Sequence, residues 1–395
     1  MATYEKLKGI ISLASNSPGV PTGYGVQAKM LVERMKRHGI DIAALSNYGL
    51  EGQMSTYKTK HGDIPHYPRG YTLYSGDVMK QYHEHHVAGR SLTNFIMTLY
   101  DAWVYLDAKL EDTKIISWLP LDHITLPPKV EAWCRKDNVE IVAMSPHGKR
   151  QLADRGIEST YIPHAVDTKL FKPTHKMHGV DIREFYGVPK DKFLVGMVAA
   201  NKANGSIHRK AFAENILAFS LFKKQHPDAY LYIHADPSKV FGGFDLLNLI
   251  RSVGLDKDDV LFPDPHKLKF GYTDDEMAAL YTGMDVLLHV SYGEGFGVPA
   301  IEAQACATPI IASNWAASQD LVSEDGLLVE GQPFWDEAQI SFFQIPIVTS
   351  IIGALNKMYD RPREKSMKSR EFALQFDVET VWDKYWLPFL KEKLA

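Results

Sequence analysis

The sequence predicts an α/β protein built from two doubly wound domains, and three observations support this. The chain has 395 residues, more than one hydrophobic core usually organises, so two domains of roughly 150 to 200 residues are expected. Short runs rich in β-branched and aromatic residues alternate with helical patterns in both halves, which is typical of βαβ units and parallel sheets. With 45% hydrophobic and 23% charged residues, the composition favours a globular protein over disorder or a coiled coil.

The predicted strands fall into two sets of five. The first set covers residues 10–14, 42–45, 96–100, 115–118 and 141–144, and the second covers 193–199, 230–234, 260–262, 286–290 and 309–312. Residues 165–187 show little periodicity and predict the linker. We therefore expect an N-terminal domain at 1–170, a C-terminal domain at 187–371 and, at 372–395, a terminal helix kinked by Pro388.

Residues 51–86 are rich in Gly, Tyr, His and Pro and have little apolar periodicity. Such a stretch is typical of a long irregular segment that leaves the sheet, and segments of this kind often line binding sites. We therefore expect an excursion from the first sheet here.

Charge, cysteine content and hydropathy exclude several classes of protein. A net charge of −4 gives no general reason to bind a polyanion. The two cysteines, Cys134 and Cys306, are too few and too far apart for a disulfide framework or a zinc ribbon. No apolar run approaches the roughly 18 residues of a membrane helix, and residues 9–14 are too short for a signal peptide. These features predict a cytoplasmic protein without an integral membrane segment.

A glycine-rich loop follows a predicted strand of the second half. Strand 285–291 leads into Gly293, Gly295 and Gly297, after which residues 298–306 form a helical pattern with a proline in the first turn. Glycines let backbone amides approach a ligand closely, and the N-terminus of a helix favours an anion. The segment therefore predicts a phosphate or diphosphate site.

Two glutamates flank this predicted helix entrance. Glu294 lies in the loop and Glu302 lies one turn into the helix. Carboxylates beside an anion site are unfavourable unless they accept hydrogen bonds, and sugar hydroxyls are suitable donors for such bonds. The alternative is a pair of solvated glutamates next to a glycine turn, since charged residues on helices are usually exposed.

A basic pair follows the first strand of the second domain. Arg209 and Lys210 are predicted to open a helix there, and a guanidinium beside an ammonium suits a diphosphate. The alternative is ordinary, because basic residues are common at loops and on helix surfaces.

The first domain offers two further candidate groups. Gly23 and Gly25 follow the first strand and precede a helix at 26–38, but Ala28 replaces the last glycine of the dinucleotide fingerprint, so an oxidoreductase is poorly supported. Asp122 and His123 follow a strand of the first sheet, so they should lie at its carboxyl edge.

Metal sites are weakly indicated. His83, His85 and His86 stand together in a polar segment, but crowded neighbours rarely converge on one ion. No Asp-x-Asp pattern follows a strand where a diphosphate-bound metal would need it. We expect neither a metal nor a further cofactor.

The segment from Glu294 to Glu302 resembles the E-x(7)-E motif of the retaining glycosyltransferases of family 4. The resemblance extends over nearly the whole chain. It includes residues 162–168, which read Ile-Pro-His-Ala-Val-Asp-Thr, with Ala165 where the family usually has glycine. It implies the GT-B fold, in which two Rossmann-like domains face a central cleft and the C-terminal helix packs back towards the N-terminal domain.

The same resemblance assigns roles to individual residues. Glu294 would contact the donor sugar and Glu302 the ribose hydroxyls, while His123 would contact the sugar and Asp122 would orient it. The remaining donor-binding residues implied by the family are Gly23, Gly25, Asn201, Arg209, Lys210 and the backbone of Phe296, Gly297 and Val298. Asn201 stands where family members often have an arginine.

The implied activity is transfer of a sugar from a nucleotide-diphosphate sugar to a hydroxyl, with retention of configuration by a front-face mechanism. The alternatives are a nucleotide-sugar epimerase on the same fold and a nucleotide-binding module without turnover. The donor base and sugar stay open. The acceptor could be a glycan, protein, lipid, small molecule or modified nucleobase. We expect the acceptor surface within 51–86, which contains Tyr57, Tyr67, Arg69, Tyr71 and Tyr74.

Overall fold

The computed structural model describes residues 4–203, 207–239 and 242–395. The chain divides into two compact units. Unit 1 comprises Met1–Ala165, Glu337–Ser341 and Val378–Ala395, and unit 2 comprises Val166–Asp336 and Phe342–Asp377. Each unit contains its own parallel sheet, so the two-domain α/β prediction is confirmed. Among the described residues, no helix is both long and apolar enough to cross a bilayer.

Within the described residues, unit 1 is organised around an eight-stranded sheet in the order β3-β4-β2-β1-β5-β6-β7-β8. The strands are β1 Ile10–Ser15, β2 Asp41–Ser46, β3 Ser55–Thr59, β4 Gly62–Tyr67, β5 Asn94–Leu99, β6 Ile115–Leu119, β7 Val139–Ala143 and β8 Thr160–Tyr161. The helices are α1 Gly23–Arg37, α2 Met79–Val87, α3 Pro128–Cys134 and α4 Pro146–Ala153, with a 3₁₀ turn at Ala102–Tyr105. All neighbouring strands are parallel except β3 and β4.

The central strands of unit 1 form because their sequences are mostly apolar. Every residue of β1 is buried, as expected for a parallel strand covered on both faces. Helix α1 begins at a specific cap, because the side chain of Thr22 accepts a hydrogen bond from the backbone N–H of Gly25. Basic residues in the last turn of α1 complement the helix dipole.

The prediction that residues 51–86 leave the first sheet as an irregular segment is wrong for part of this range. Strands β3 and β4 pair antiparallel, and β4 adds to the sheet parallel to β2. The apolar pattern is hidden because His66 occupies a buried position, where its Nε2 lies 2.7 Å from the hydroxyl of Ser46. A buried polar side chain that has a hydrogen-bond partner replaces the apolar residue that sequence patterns look for.

Within the described residues, unit 2 is organised around a six-stranded parallel sheet in the order β13-β12-β11-β14-β15-β16. The strands of the unit are β9 Lys176–Met177, β10 Val180–Asp181, β11 Phe193–Val198, β12 Ala229–His234, β13 Val260–Leu261, β14 Val286–His289, β15 Ile310–Ser313, β16 Leu327–Val329, β17 Gly331–Asp336 and β18 Ser341–Pro346. The helices are α5 Ile182–Phe185, α6 Phe212–Gln225, α7 Leu246–Ser252, α8 Pro265–Phe270, α9 Asp274–Gly283, α10 Val298–Ala305, α11 Val348–Tyr359 and α12 Met367–Leu374, with a 3₁₀ turn at Ala316–Leu321.

Strands β17 and β18 form a two-stranded sheet that was not predicted. The backbone N–H of Gln344 on β18 donates to the carbonyl of Tyr292 at 3.0 Å, and the ring of Phe334 on β17 lies edge-on to that of Tyr292. The two strands therefore support the glycine-rich loop that follows β14.

The C-terminal segment ends on unit 1, as the resemblance implied. It comprises α13 Val378–Val381, a π-helical turn at Trp382–Trp386 and α14 Leu387–Leu394. Glu379 accepts hydrogen bonds from Arg34 and Arg37 of α1 at 2.6 and 2.8 Å, and Trp382 donates its indole N–H to His38 at 3.1 Å.

The single kinked helix predicted for residues 372–395 is wrong in detail. Helix α12 ends at Leu374 within unit 2, and Pro388 lies in the first turn of α14, where its missing N–H costs nothing. The π-helical turn at Trp382–Trp386 lies just before Pro388 and accommodates the distortion that a proline would otherwise cause inside a helix.

Candidate active site

The glycine-rich loop joins β14 to α10 in unit 2. Gly297 is the N-cap of α10 and has a φ of +103°, a conformation that side chains of L-residues rarely adopt. A Cβ atom added at Gly297 would lie 2.8 Å from Nε2 of His289. Pro299 occupies the first turn of α10. The backbone of Gly297 and Val298 therefore forms the kind of helix entrance that binds anions.

Glu294 is buried in this loop and is paired with two cations. Its carboxylate lies 2.5 Å from Nζ of Lys210 and 3.1 Å from Nη1 of Arg209, and the residue is 5% exposed. Burial alone would raise the pKa of Glu294, but Lys210 and Arg209 hold that pKa well below its usual range. Glu294 is therefore a carboxylate that stays charged throughout the physiological pH range.

Arg209 and Lys210 do not open a helix, which corrects the sequence prediction. They lie in the turn before α6, which begins at Phe212 after an N-cap, Ala211, with a φ of +49°. The carbonyl of Arg209 accepts a hydrogen bond from the N–H of Tyr292 at 2.8 Å, and its guanidinium donates to the carbonyl of Gly293 at 2.7 Å. This turn is thus hydrogen-bonded to the glycine-rich loop, which brings both cations to Glu294.

Glu302 lies in a different environment, although it is only about one turn into the helix that follows the loop. Its Oε2 accepts a hydrogen bond of 2.8 Å from the hydroxyl of Tyr281 on α9. Burial, offset in part by this hydrogen bond and assisted by the charge of Asp274, raises the pKa of Glu302 to about 7. Tyr281 was missed by the sequence analysis, because nothing in its local pattern distinguishes it from a core tyrosine.

His289 is a second residue that the sequence analysis missed. It ends β14 and is 8% exposed, and its Nε2 has no hydrogen-bond partner among the described residues. Burial lowers the pKa of His289 to about 4, with the Glu294 carboxylate acting in the opposite direction. A neutral imidazole therefore packs beneath the backbone of Gly297.

Two other predicted donor-binding residues of unit 2 have structural contacts. The Nδ2 of Asn201 donates to the carbonyls of Asp236, Ser238 and Phe244, and its Oδ1 accepts from the N–H of Phe244 at 2.9 Å. Phe296 is buried and its ring packs edge-on against that of Phe376. The donor-binding roles of Asn201 and Phe296 stay predictions.

The candidate residues of unit 1 gather at one edge of its sheet. Gly23 and Gly25 open α1 after β1, and a Cβ at Gly25 would overlap the carbonyl oxygen of Val20. Asp122 and His123 follow β6, where Oδ1 of Asp122 lies 2.7 Å from Nδ1 of His123. Because β1 and β6 both neighbour β5, these groups lie at the carboxyl ends of the two strands that flank β5.

The histidines at 83–86 have separate partners. His83 contacts Ser12 and Asn94, His85 contacts the hydroxyl of Tyr67, and His86 contacts the carbonyl of Asp41. Among the described residues, no group of three or more His, Cys, Asp or Glu side chains could hold a metal ion. These histidines therefore stabilise unit 1 through separate hydrogen bonds.

Comparisons with known proteins agree with this fold. Residues 204–339 match the sequence profile of the glycosyl transferases group 1 family. The chain is 28% identical over 221 residues to the D-inositol 3-phosphate glycosyltransferase of Arthrobacter sp. (strain FB24), covering 54% of this chain and 44% of that protein. It is 30% identical over 159 residues to the O-antigen chain mannosyltransferase RfbU of Salmonella typhimurium, covering 39% and 42%. The chain thus spans less than half the length of these curated relatives.

Solved structures match over almost the whole chain. The sucrose-phosphate synthase of Thermosynechococcus elongatus superposes with a TM-score of 0.72 at 18% identity, covering 97% of this chain and 98% of that one. A glycosyltransferase from Rickettsia africae ESF-5 superposes with a TM-score of 0.66 at 17% identity, covering 99% and 100%. Residues 204–339 therefore match the glycosyl transferases group 1 family, and the chain has the two-domain α/β fold of GT-B glycosyltransferases.

Proposed function

We propose that this chain is a glycosyltransferase that moves a sugar from a nucleotide-diphosphate sugar to a hydroxyl group. The observation that carries the proposal is the cluster of Glu294, Arg209 and Lys210 next to the N-terminus of α10. Two cations and the N-terminus of a helix suit a diphosphate, and a carboxylate that is always charged suits sugar hydroxyls. The family match over residues 204–339, which includes all of these groups, supports the same function.

Each group has a distinct role in this proposal. Arg209, Lys210 and the amides near Gly297 bind the diphosphate, while Glu294 accepts hydrogen bonds from the donor sugar. Glu302 accepts from the ribose hydroxyls, with its orientation fixed by the hydroxyl of Tyr281. The roles of Gly23, Gly25, Asp122 and His123 in unit 1 stay predictions.

The reaction that these groups favour proceeds with retention of configuration. The bond between C1 of the sugar and the diphosphate oxygen breaks, and the diphosphate leaves with the electron pair. The acceptor oxygen forms its bond to C1 on the same face, and its proton passes to the departing diphosphate oxygen. Arg209 and Lys210 stabilise the charge that develops on the leaving group. Glu294 does not act as a nucleophile here, because both of its oxygens are engaged by Lys210 and Arg209.

A panel of nucleotide sugars, screened by thermal shift with the full chain, tests the proposal. We expect at least one nucleotide sugar to raise the melting temperature, and the matching nucleoside diphosphate to do so as well. Incubation of that donor with acceptors should then give a product whose anomeric proton shows retention by NMR, with or without a chelator. An inverted product would refute the front-face mechanism, and conversion of the donor to its epimer without acceptor would refute the transfer.

A further inference from the structure

Unit 1 carries a cluster of aromatic rings at the same sheet edge as Asp122 and His123. Tyr24 lies in the first turn of α1 after β1, and Tyr100 and Asp101 directly follow β5. Strand β5 lies between β1 and β6, so Tyr100 and Asp101 emerge between the other two groups of this edge. The topology of the sheet therefore brings these side chains together.

The rings form a continuous surface, which we call the aromatic shelf and define as Tyr24, Tyr74, Tyr100 and Trp103. The ring centroids of Tyr24 and Tyr100 are 4.9 Å apart, those of Tyr74 and Tyr100 are 5.5 Å apart, and those of Tyr74 and Trp103 are 5.8 Å apart. Tyr74, Tyr100 and Trp103 pack against the core of unit 1 but are only partly buried. Part of the ring surface therefore remains open to a ligand.

A carboxylate lies at this shelf. The hydroxyl of Tyr24 donates to Oδ2 of Asp101 at 3.3 Å. Burial first, and Asp101 second, raise the pKa of Tyr100 to about 12 and also raise the pKa of Tyr74. The phenols therefore stay neutral beside a charged carboxylate, a combination that offers both donors and acceptors to hydroxyl groups.

One end of the shelf, at Tyr74, borders an acidic cavity. A cavity of about 810 Å³ is lined by Tyr74 of the shelf, and its wall carries five carboxylates, those of Asp77, Glu84, Asp107, Glu111 and Asp112. Only two lysines, Lys80 and Lys109, line the same cavity. A phosphate dianion near Tyr74 would be repelled by this excess of three negative charges, and one near Tyr24 would be repelled by Asp101, whereas a neutral polyol would not.

We propose that the aromatic shelf binds the acceptor as an uncharged pyranose ring, which stacks on Tyr24 and Tyr100 while Asp101 accepts hydrogen bonds from its hydroxyls. The aromatic faces bind the C–H face of the sugar, and the carboxylate selects its hydroxyl edge. The shelf is thus a specificity element that favours neutral sugars over sugar phosphates. This inference rests on the proposed function, because it names the second substrate of that reaction.

Ligand-observed NMR on the full chain tests the inference without requiring turnover. The probes are the methyl α-pyranosides of glucose, mannose and galactose, each compared with glucose 6-phosphate. We expect at least one methyl pyranoside to bind and glucose 6-phosphate to bind more weakly. Tighter binding of the sugar phosphate, or no binding of any pyranoside, would overturn the inference.

Variants locate the binding at the shelf. We expect Tyr24→Ala to weaken pyranoside binding about tenfold and Tyr24→Phe by no more than about threefold, since stacking survives when only the hydroxyl is lost. Asp101→Asn should weaken the pyranoside but strengthen glucose 6-phosphate. Tyr48→Ala, which removes a tyrosine of unit 1 that is 57% exposed, is the matched control and should change neither. Equal pyranoside binding by Tyr24→Ala and the control would contradict the placement.

Two further measurements separate this inference from the proposed function. Melting curves identify any variant that fails to fold. If Tyr24→Ala does not fold, Asp101→Asn carries the test, because it should weaken the pyranoside and strengthen glucose 6-phosphate. Binding of nucleoside diphosphate is measured on every variant and should not change. If nucleotide binds but pyranosides do not, only the proposal that the aromatic shelf binds the acceptor is refuted. If pyranosides bind but no nucleotide does, the proposed transferase activity is refuted instead.

Discussion

Glu294 and Glu302 lie on either side of the same helix entrance, eight residues apart, yet their surroundings are opposite. Glu294 is flanked by Lys210 and Arg209, which hold its pKa well below the usual range. Glu302 has a neutral phenol as its hydrogen-bond partner, and burial raises its pKa to about 7. The difference shows that spacing in a motif does not determine protonation, which depends on residues that come from other elements.

The two glutamates also act on stability in opposite directions. Glu294 has a lowered pKa, so its contribution to stability is present above its ordinary value of 4.5 and is lost as pH falls through the lower value in the folded state. Glu302 has a raised pKa, so its contribution is present below 4.5 and is lost as pH rises through about 7. One helix entrance therefore combines a group suited to constant charge with one that titrates near neutrality.

The largest effect is expected for Glu294→Ala, which tests the charged side of the comparison. Transfer should fall about a hundredfold or more, because the donor sugar loses its charged acceptor. Affinity for the nucleoside diphosphate, measured by calorimetry, should be kept or increased, since Arg209 and Lys210 lose their internal partner. The control is Glu324→Ala, which removes an exposed glutamate paired with Lys368. Unchanged transfer in Glu294→Ala would refute its role.

Gly297→Ala tests the backbone between the two glutamates. The φ of +103° and the nearby imidazole of His289 should together cost about 2 to 3 kcal/mol of unfolding free energy, and donor affinity should fall as the helix entrance shifts. Gly353→Ala is the matched control, because a Cβ there meets no atom within 4 Å and α11 should gain up to about 1 kcal/mol. Denaturant unfolding measures both variants, and equal stabilities would contradict the strain.

Glu302→Gln tests the neutral side through the pH dependence of stability. Glutamine cannot ionise, so the variant should be more stable than the wild type at about pH 8, by roughly 2 kcal/mol, and similar to it at about pH 5. Thermal unfolding across this range measures the difference. A difference that did not grow with pH would show that the pKa of Glu302 is not raised.

Tyr281→Phe should have the smallest effect. Loss of one hydrogen bond to the carboxylate is worth about 1 kcal/mol, so KM for the donor should rise about fivefold with little change in kcat. The rise should be larger near pH 7 than above it, because the pKa of Glu302 increases further without the phenol. Tyr359→Phe is the control, since its hydroxyl bonds Asp228 at the same distance of 2.8 Å. Equal effects of the two variants on KM would refute the positioning role of Tyr281.

The central strands were predictable because they are buried on both faces and read as apolar runs. Strands β1, β11 and β14 are of this kind. Strands β4 and β17 were not predictable, because each places a proline and polar residues within the strand. Their pairing depends on neighbours in the folded chain rather than on their own pattern.

The candidate site shows the same division. Glu294 and Gly297 could be identified from the loop, since their chemistry and spacing are local. Tyr281 and His289 could not, because their significance comes from packing: α9 brings a phenol to Glu302, and the left-handed backbone of Gly297 leaves room for an imidazole. Asn201 illustrates the reverse case, since the family suggests donor binding while its amide forms hydrogen bonds with the backbone of Asp236, Ser238 and Phe244.

The return of the C-terminal segment to unit 1 has a consequence for the order of folding during synthesis. Unit 1 begins before unit 2 in the sequence, but Glu379 and Trp382, which bind α1, are synthesised after all of unit 2. The sheet of unit 2 can assemble while α1 still lacks these partners. The N-terminal half of this chain is therefore completed after the half that follows it, and a translational stall near residue 377 should leave unit 1 as the preferred target of chaperones and proteases.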